Sequence, residues 1–335
     1  NPANGVCYQD PCGRPAFTAF LEGEHYGTLR HELVTFGPVV LGKWLRGDDI
    51  SALLPGLEGY FSPSFRLFSN GPEENPGAMR CEMWYLMYAN ALAGHLIRRH
   101  VSDFPHWLGL WRESIDTIRN LARRLDYDFN HQGGHYATPS AWTDRDIFRQ
   151  PDAIGGYAYL MLLAHRMLGD AEYLAEARAA LHRYLAMPAN PWYEVPDGSL
   201  AALAAAYLAA QGEDCDVRKA LGWLLDSQAA LALGEWGGQE VNGLMRGWRY
   251  SERDSVYSME SLMVLPFILP VARYAPAYAL EIGRYALHVA ANARLFFGEH
   301  MTGCESRPDL TPAVAYERLL AQHGGCAPYA TGDFQ

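Results

Sequence analysis

The residues of this chain best placed to do chemistry are carboxylates that introduce or interrupt apolar stretches. Asp152 stands directly before the apolar run that begins at Ala153, and Glu82 and Glu260 lie within apolar runs of their own. Burial disfavours the charged form of a carboxyl group and raises its pKa unless a partner compensates. Glycoside hydrolysis uses two such groups on either side of a bond, one protonated and one ionised. Asp152 and Glu260 are the expected catalytic pair. Each also has a structural role open to it. Asp152 suits a helix N-cap, and Glu82 or Glu260 suits pairing with Arg80 or Tyr257.

Three stretches supply binding chemistry. Residues 126–157 (DYDFNHQGGHYATPSAWTDRDIFRQPDAIGGY) read as a long loop rich in aspartate, histidine and aromatic residues. A loop of that length in a compact domain is functional or disordered, and its aromatic and Gly-Gly content argues against disorder. It is expected to form one wall of a cleft, with Trp142, Asp146 and Tyr157 facing substrate and Asp144 nearby. Residues 235–254 (EWGGQEVNGLMRGWRYSERD) add Glu240, Arg246, Trp248 and Arg249, beside Tyr250 and Asp254. Aromatic faces stack on sugar C–H surfaces and arginine forks bind carboxylates. Trp192, with Tyr193, Glu194 and Asp197, makes a weaker third wall. For any one of these residues, anchoring a surface loop is the alternative role.

A second mechanism is also readable. His135 and Tyr257, with Arg249 holding a uronate carboxylate, could remove the proton beside that carboxylate, as a lyase or epimerase does. His131 and His135 are separated by Gly133-Gly134 and so do not share a helix face as zinc ligands would. No metal is expected. His323 and Cys326 lack two further ligands nearby. There is no GxGxxG, Walker loop or GxSxG, and no cofactor is expected.

The elements that must position these residues are helical. Runs 79–97, 153–167, 199–210 and 256–272 are apolar nearly all round, the last carrying Pro266 and Pro270, which should kink it. Between them, 107–125, 171–185, 217–231 and 276–297 are amphipathic, with Arg112, Asp116, Arg119 and Arg123 marking one polar stripe. A helix from 34 to 45 is weakened by Gly37 and Pro38. A helix that is apolar all round must be covered on every side, so the expected fold is all-α, an α/α toroid of helical hairpins with inner and outer layers. Inner-to-outer turns are short. The outer-to-inner connections 126–152, 187–198 and 232–253 are long and fall at the N-termini of the inner helices, which carry partial positive charge and free N–H groups. The expected organisation is an N-terminal irregular or helical segment (1–75), the toroid domain (76–323) and a C-terminal tail (324–335). Both ends read as cut from a longer polypeptide, and 311–320 reads as helical.

The hairpin at 151–185 (PDAIGGYAYLMLLAHRMLGDAEYLAEARAALHRYL) resembles those of the six-hairpin glycosidase-like superfamily of α/α toroids. It has an inner helix opening on Gly-Gly-Tyr, a Gly-Asp turn and an outer helix with paired Glu and Arg. The resemblance covers roughly residues 76–300. It implies a carbohydrate-active enzyme: a hydrolase, polysaccharide lyase or sugar epimerase with its site in the funnel on the long-loop side. A non-catalytic toroid that binds glycan or protein is the third reading.

Composition bounds the partners. The chain of 335 residues is 49% hydrophobic and carries a net charge of −11, which disfavours sequence-independent nucleic-acid binding. No run is long and apolar enough to span a bilayer. The expected partner is an oligosaccharide or polysaccharide, with no nucleic acid and no membrane. Of the six cysteines, Cys7 and Cys12 are the only close pair. Mostly reduced thiols and a cytoplasmic setting are expected.

Product chemistry separates the two enzyme readings. A lyase releases an unsaturated sugar that absorbs in the ultraviolet. Hydrolysis of a saturated glycan is expected to give new reducing ends with no rise in absorbance, measured together on one oligosaccharide panel.

Overall fold

The computed structural model describes residues 7–17, 31–71, 80–136, 138–236, 239–247, 249, 255–296 and 325–327. The described residues are mostly helical, an all-α fold of helical hairpins with short sheets at the connections. The chain divides into two compact units, Asn1–Arg149 with Leu160–Ala177, and Gln150–Tyr159 with Arg178–Gln335.

In the first unit, β1 (Cys7–Gln9) and β2 (Pro15–Phe17) form a hairpin. Helix α1 (Leu33–Leu45) tolerates Pro38 in its second turn and buries Leu33, Phe36 and Val40. A 3-10 turn (Leu54–Tyr60) leads into the β3 (Phe61–Ser62) and β4 (Leu67–Phe68) hairpin. Strand β5 (Arg80–Glu82) runs straight into α2 (Met83–His100), which is buried on nearly every side down to Ile97. Buried Asn90 in the middle of α2 is satisfied, its amide donating to the Phe68 and Leu86 carbonyls and its oxygen accepting from Ser114. Helix α3 (His106–Arg124) is amphipathic and turns Trp107, Trp111, Ile115, Ile118 and Ala122 inward. Its polar stripe is not simply solvated: Asp116 accepts from Tyr173 at 2.6 Å, and Arg119 pairs with Glu176 at 2.6 Å.

The segment expected to be one long loop is partly ordered sheet. β6 (Gly133–His135) and β7 (Ser140–Trp142) add antiparallel to β5, and a 3-10 turn (Asp146–Phe148) follows. Gly133 makes this possible, since a Cβ there would lie 2.4 Å from the Cys81 carbonyl and 2.7 Å from the Trp142 ring. Glu82 likewise sits at the entrance of α2 rather than inside it, accepting from buried Gln132 at 3.0 Å.

Helix α4 (Ala153–Leu168) belongs to the second unit up to Tyr159 and to the first beyond it, and α5 (Ala171–Leu185) passes between the units in the same way after Ala177. The second unit continues with α6 (Val195–Ala210), buried on almost every face, and amphipathic α7 (Val217–Leu224). Strands β8 (Glu235–Trp236) and β9 (Gln239–Glu240) pair, as do β10 (Met245–Arg246) and β11 (Ser255–Tyr257), with β12 (Gly325–Ala327) parallel to β11. The apolar run 256–272 is not one kinked helix. It opens as strand and then breaks into α8 (Ser258–Met263), α9 (Leu265–Ile268) and α10 (Val271–Tyr274). Pro266 and Pro270 each remove a backbone donor and clash with the preceding turn. Amphipathic α11 (Ala279–Asn292) follows a 3-10 turn that starts at Pro276. The run 217–231 is helical only to Leu224, and 311–320 lies outside the described residues.

Helix α6 also starts four residues earlier than the sequence suggested, at Val195, because Pro196 occupies its first turn. The missing N–H of a proline costs nothing there. Near this start α4 and α6 come unusually close. A Cβ on Gly155 would lie 2.7 Å from the Ala201 Cβ and 3.0 Å from the Tyr184 ring. Gly155→Ala is therefore expected to lower unfolding stability by about 1–3 kcal/mol, read as a reduced urea midpoint at unchanged slope.

Candidate active site

Within the second unit, Tyr193 ties Asp152 to the connection that follows β10. Its amide donates to Asp152 Oδ2 at 2.9 Å, at the end of the first connection. Its carbonyl accepts from the Arg249 amide at 2.8 Å, in the third. The Arg249 guanidinium reaches the Trp192 carbonyl at 3.4 Å. Asp152 thus bonds across to the next connection, and its Oδ1 makes no hydrogen bond among the described residues.

Asp152 is 2% exposed, and Asp197, in the first turn of α6, is fully buried. Neither oxygen of Asp197 has a hydrogen-bond partner among the described residues. Desolvation lifts Asp152 from 3.8 to about 7, against the opposing pull of the Tyr193 and Glu194 amides and the Arg249 charge. That rise corresponds to roughly 4 kcal/mol. A helix N-terminus favours a carboxylate by only ~0.3–2 kcal/mol, so burial wins. Asp197 is lifted well above the ordinary carboxylate range, first by burial and then by repulsion from Asp152. Burial therefore favours the protonated form of both carboxyls.

Other expected site residues fall as follows. Glu260 is 1% exposed in the first turn of α8, so it too sits near the start of its helix. Tyr257, half-buried at the end of β11, packs its ring against Gly247 so closely that a Cβ there would lie 2.5 Å away. Tyr157 is fully buried in α4, and Trp192 is 9% exposed. Arg249 is exposed, Arg246 is half-buried in β10, and Glu240 is exposed and accepts from Asn242. Trp248 lies outside the described residues. The first unit holds His135, Trp142 and Asp146. His135 and Trp142 rings lie 6.4 Å apart on the β6–β7 hairpin, Arg80 stacks over Trp142 at 4.5 Å, and Asp146 is exposed and paired with Arg149 at 3.0 Å.

The structure brings Asp152, Trp192 and Arg249 together, and adds two residues that sequence reasoning undervalued. The sequence places Asp197 in the connection 187–198, as part of the weaker third wall, whereas it stands in the first turn of α6. Proline in a helix first turn was the signal that would have placed it. Tyr184 lies on the outer helix α5, and no local pattern marks its reach.

No family model matches the chain, and no curated protein matches it. Among solved structures it is similar to an unsaturated glucuronyl hydrolase from Bacillus sp. GL1, described as responsible for the degradation of glycosaminoglycan, at 14% identity over 73% of this chain and 74% of that one, with a TM-score of 0.47. It is similar to a UGL variant with dGlcA-Glc-Rha-Glc at 14% identity over the same shares, with a TM-score of 0.48.

A raised carboxyl pKa has a stability consequence of fixed sign. Asp152 titrates at about 7 when folded and near 3.9 when unfolded, so the stability it contributes is full below about pH 4 and is lost as pH rises through 7. Asp152→Asn is expected to flatten that decline and to raise the melting temperature at pH 8, measured calorimetrically from pH 4 to 8.

Proposed function

We propose that this chain is a glycoside hydrolase acting on an oligosaccharide or polysaccharide, with Asp197 as general acid and Asp152 as general base. The observation that carries the reading is the buried pair of aspartates at the N-termini of α4 and α6, with the Asp152 charge helping to hold Asp197 protonated. Protonated Asp197 gives its proton to the glycosidic oxygen as the bond to the anomeric carbon breaks. Ionised Asp152 takes a proton from the water that forms the new C–O bond. The proton has then moved from Asp197 to Asp152, and exchange with solvent resets the pair. If the two carboxyls close to about 5 Å around substrate, Asp152 attacks the anomeric carbon directly, whereas about 6.5–9.5 Å admits the water.

The flanking groups suit a sugar. Arg249 is an exposed cation beside Asp152, able to bind a carboxylate or hydroxyls of the ring. Trp192 gives an aromatic face at the same connection. Glu260 opens α8 in the same unit and is the other carboxyl that could serve as acid.

Turnover on a saccharide panel tests the assignment, and the panel should include an unsaturated glucuronyl oligosaccharide, the class named in the similar hydrolase. Asp152→Asn and Asp197→Asn are each expected to lower kcat by about 10²–10⁴-fold, with activity rising through pH 7 as Asp152 ionises. Full turnover by Asp152→Asn would sink the reading. Loss in Glu260→Gln with retention in Asp197→Asn would move the acid role to Glu260.

A further inference from the structure

Helix ends in the first unit gather positive charge. The last turn of α2 carries Arg98, Arg99 and His100, and that of α4 carries His165 and Arg166. The two helices touch just before these turns, since a Cβ on Gly94 of α2 would lie 2.9 Å from Leu163 Cδ2 of α4. Arg98 follows Gly94, and Arg166 follows Leu163, by about one helical turn. Helix α1 joins them at its own end, where the Trp44 ring carries the Arg99 guanidinium at 4.6 Å. Half-buried His95 stands beside Gly94 at the same level. Burial, then repulsion from Arg98, Arg166 and Arg99, holds its imidazole down to about 3. The acids at the rim are engaged. Asp103 faces His100 at 3.7 Å, and Asp48 pairs with Arg46 at 2.5 Å and Lys43 at 3.7 Å. His165 meets the Asp170 carbonyl at 2.9 Å.

A cation at a helix C-terminus complements the free carbonyls there. The ends of α2 and α4 supply about one negative charge between them, and three guanidiniums exceed it. Complementing the helix ends does not require three like charges around one imidazole. The excess is positive on a chain whose net charge is −11, so it is a local field and not part of a general one. We propose that Arg98, Arg99 and Arg166 form a binding site for a tetrahedral oxyanion, a phosphate or sulfate group. Guanidinium forks bind such groups through paired N–H donors. Arg99 and Arg166 are exposed and Arg98 is half-buried, so the site is open to solvent. Stacking on Trp44 uses the face of the Arg99 guanidinium and leaves its N–H edge for a ligand. The inference is independent of the acid/base reading of Asp152 and Asp197, which belong to the other unit.

The test titrates the whole chain with inorganic phosphate, inorganic sulfate and a sulfated disaccharide, each against sodium chloride at equal ionic strength. Saturable binding is expected by calorimetry. The His95 ring signals in NMR at neutral pH are expected to shift along the same curve, which locates the anion at this cluster. Arg166→Gln, at an exposed position that leaves the fold intact, is expected to weaken binding about tenfold. Arg98→Lys keeps the charge but loses the fork and is expected to weaken it by a smaller factor. The tightest of the three ligands distinguishes a free anion from a sulfated sugar, and either supports the site. Shifts that chloride reproduces at equal ionic strength are screening alone and overturn the proposal. Binding that Arg166→Gln leaves unchanged overturns it as well.

Discussion

The close packing of two helix N-termini governs the second unit. Gly155 of α4 lies where any side chain would strike the Ala201 methyl, so the helices meet along small residues and their first turns are brought side by side. Each helix start carries an aspartate. Asp152 ends the connection into α4, Asp197 stands one turn before Ala201, and neither can move away from the other without separating the helices. Apolar packing surrounds both acids: Tyr157, Leu200, Ala204 and Ala205 are all fully buried.

That arrangement is unfavourable for folding. Burying carboxyls without full hydrogen bonding costs stability, and here three of the four carboxyl oxygens lack a hydrogen-bond partner among the described residues. The surrounding core offsets the cost, and the acids meet it partly by taking up protons. Other buried polar groups are fully met. Asn90, Gln132 and Arg119 are each satisfied by named partners, which is what a structural polar group needs. Asp197 differs from these in that neither of its carboxyl oxygens has a hydrogen-bond partner among the described residues.

Much of the fold could be read along the chain. The alternation of all-round apolar and amphipathic runs placed α2 to α6 within a few residues, 171–185 without error, and the start but not the end of α7. It failed where chain direction changed inside an apolar run. At 256–272 the residues read as one inner helix, but two prolines and a strand register with β10 divided it. At 126–157 polarity read as loop, although Gly-Gly-His had the small residues needed to pair beneath Trp142. Sheet pairing depends on a distant partner, so neither strand announced itself locally.

The site was less legible than the fold. Asp152 was visible because an acid before an apolar run is a local pattern. That its carboxyl would bond to Tyr193 instead of capping its own helix was not. The partner Asp197 and the reach of Tyr184 depend on which helices touch and how closely. The sequence by itself determined the helical repeat and the acids at the helix entrances, since burial and capping act within one or two turns. Only the tertiary structure decided which acids share a dry site and therefore which one keeps its proton, because desolvation and charge repulsion are set by neighbours in space.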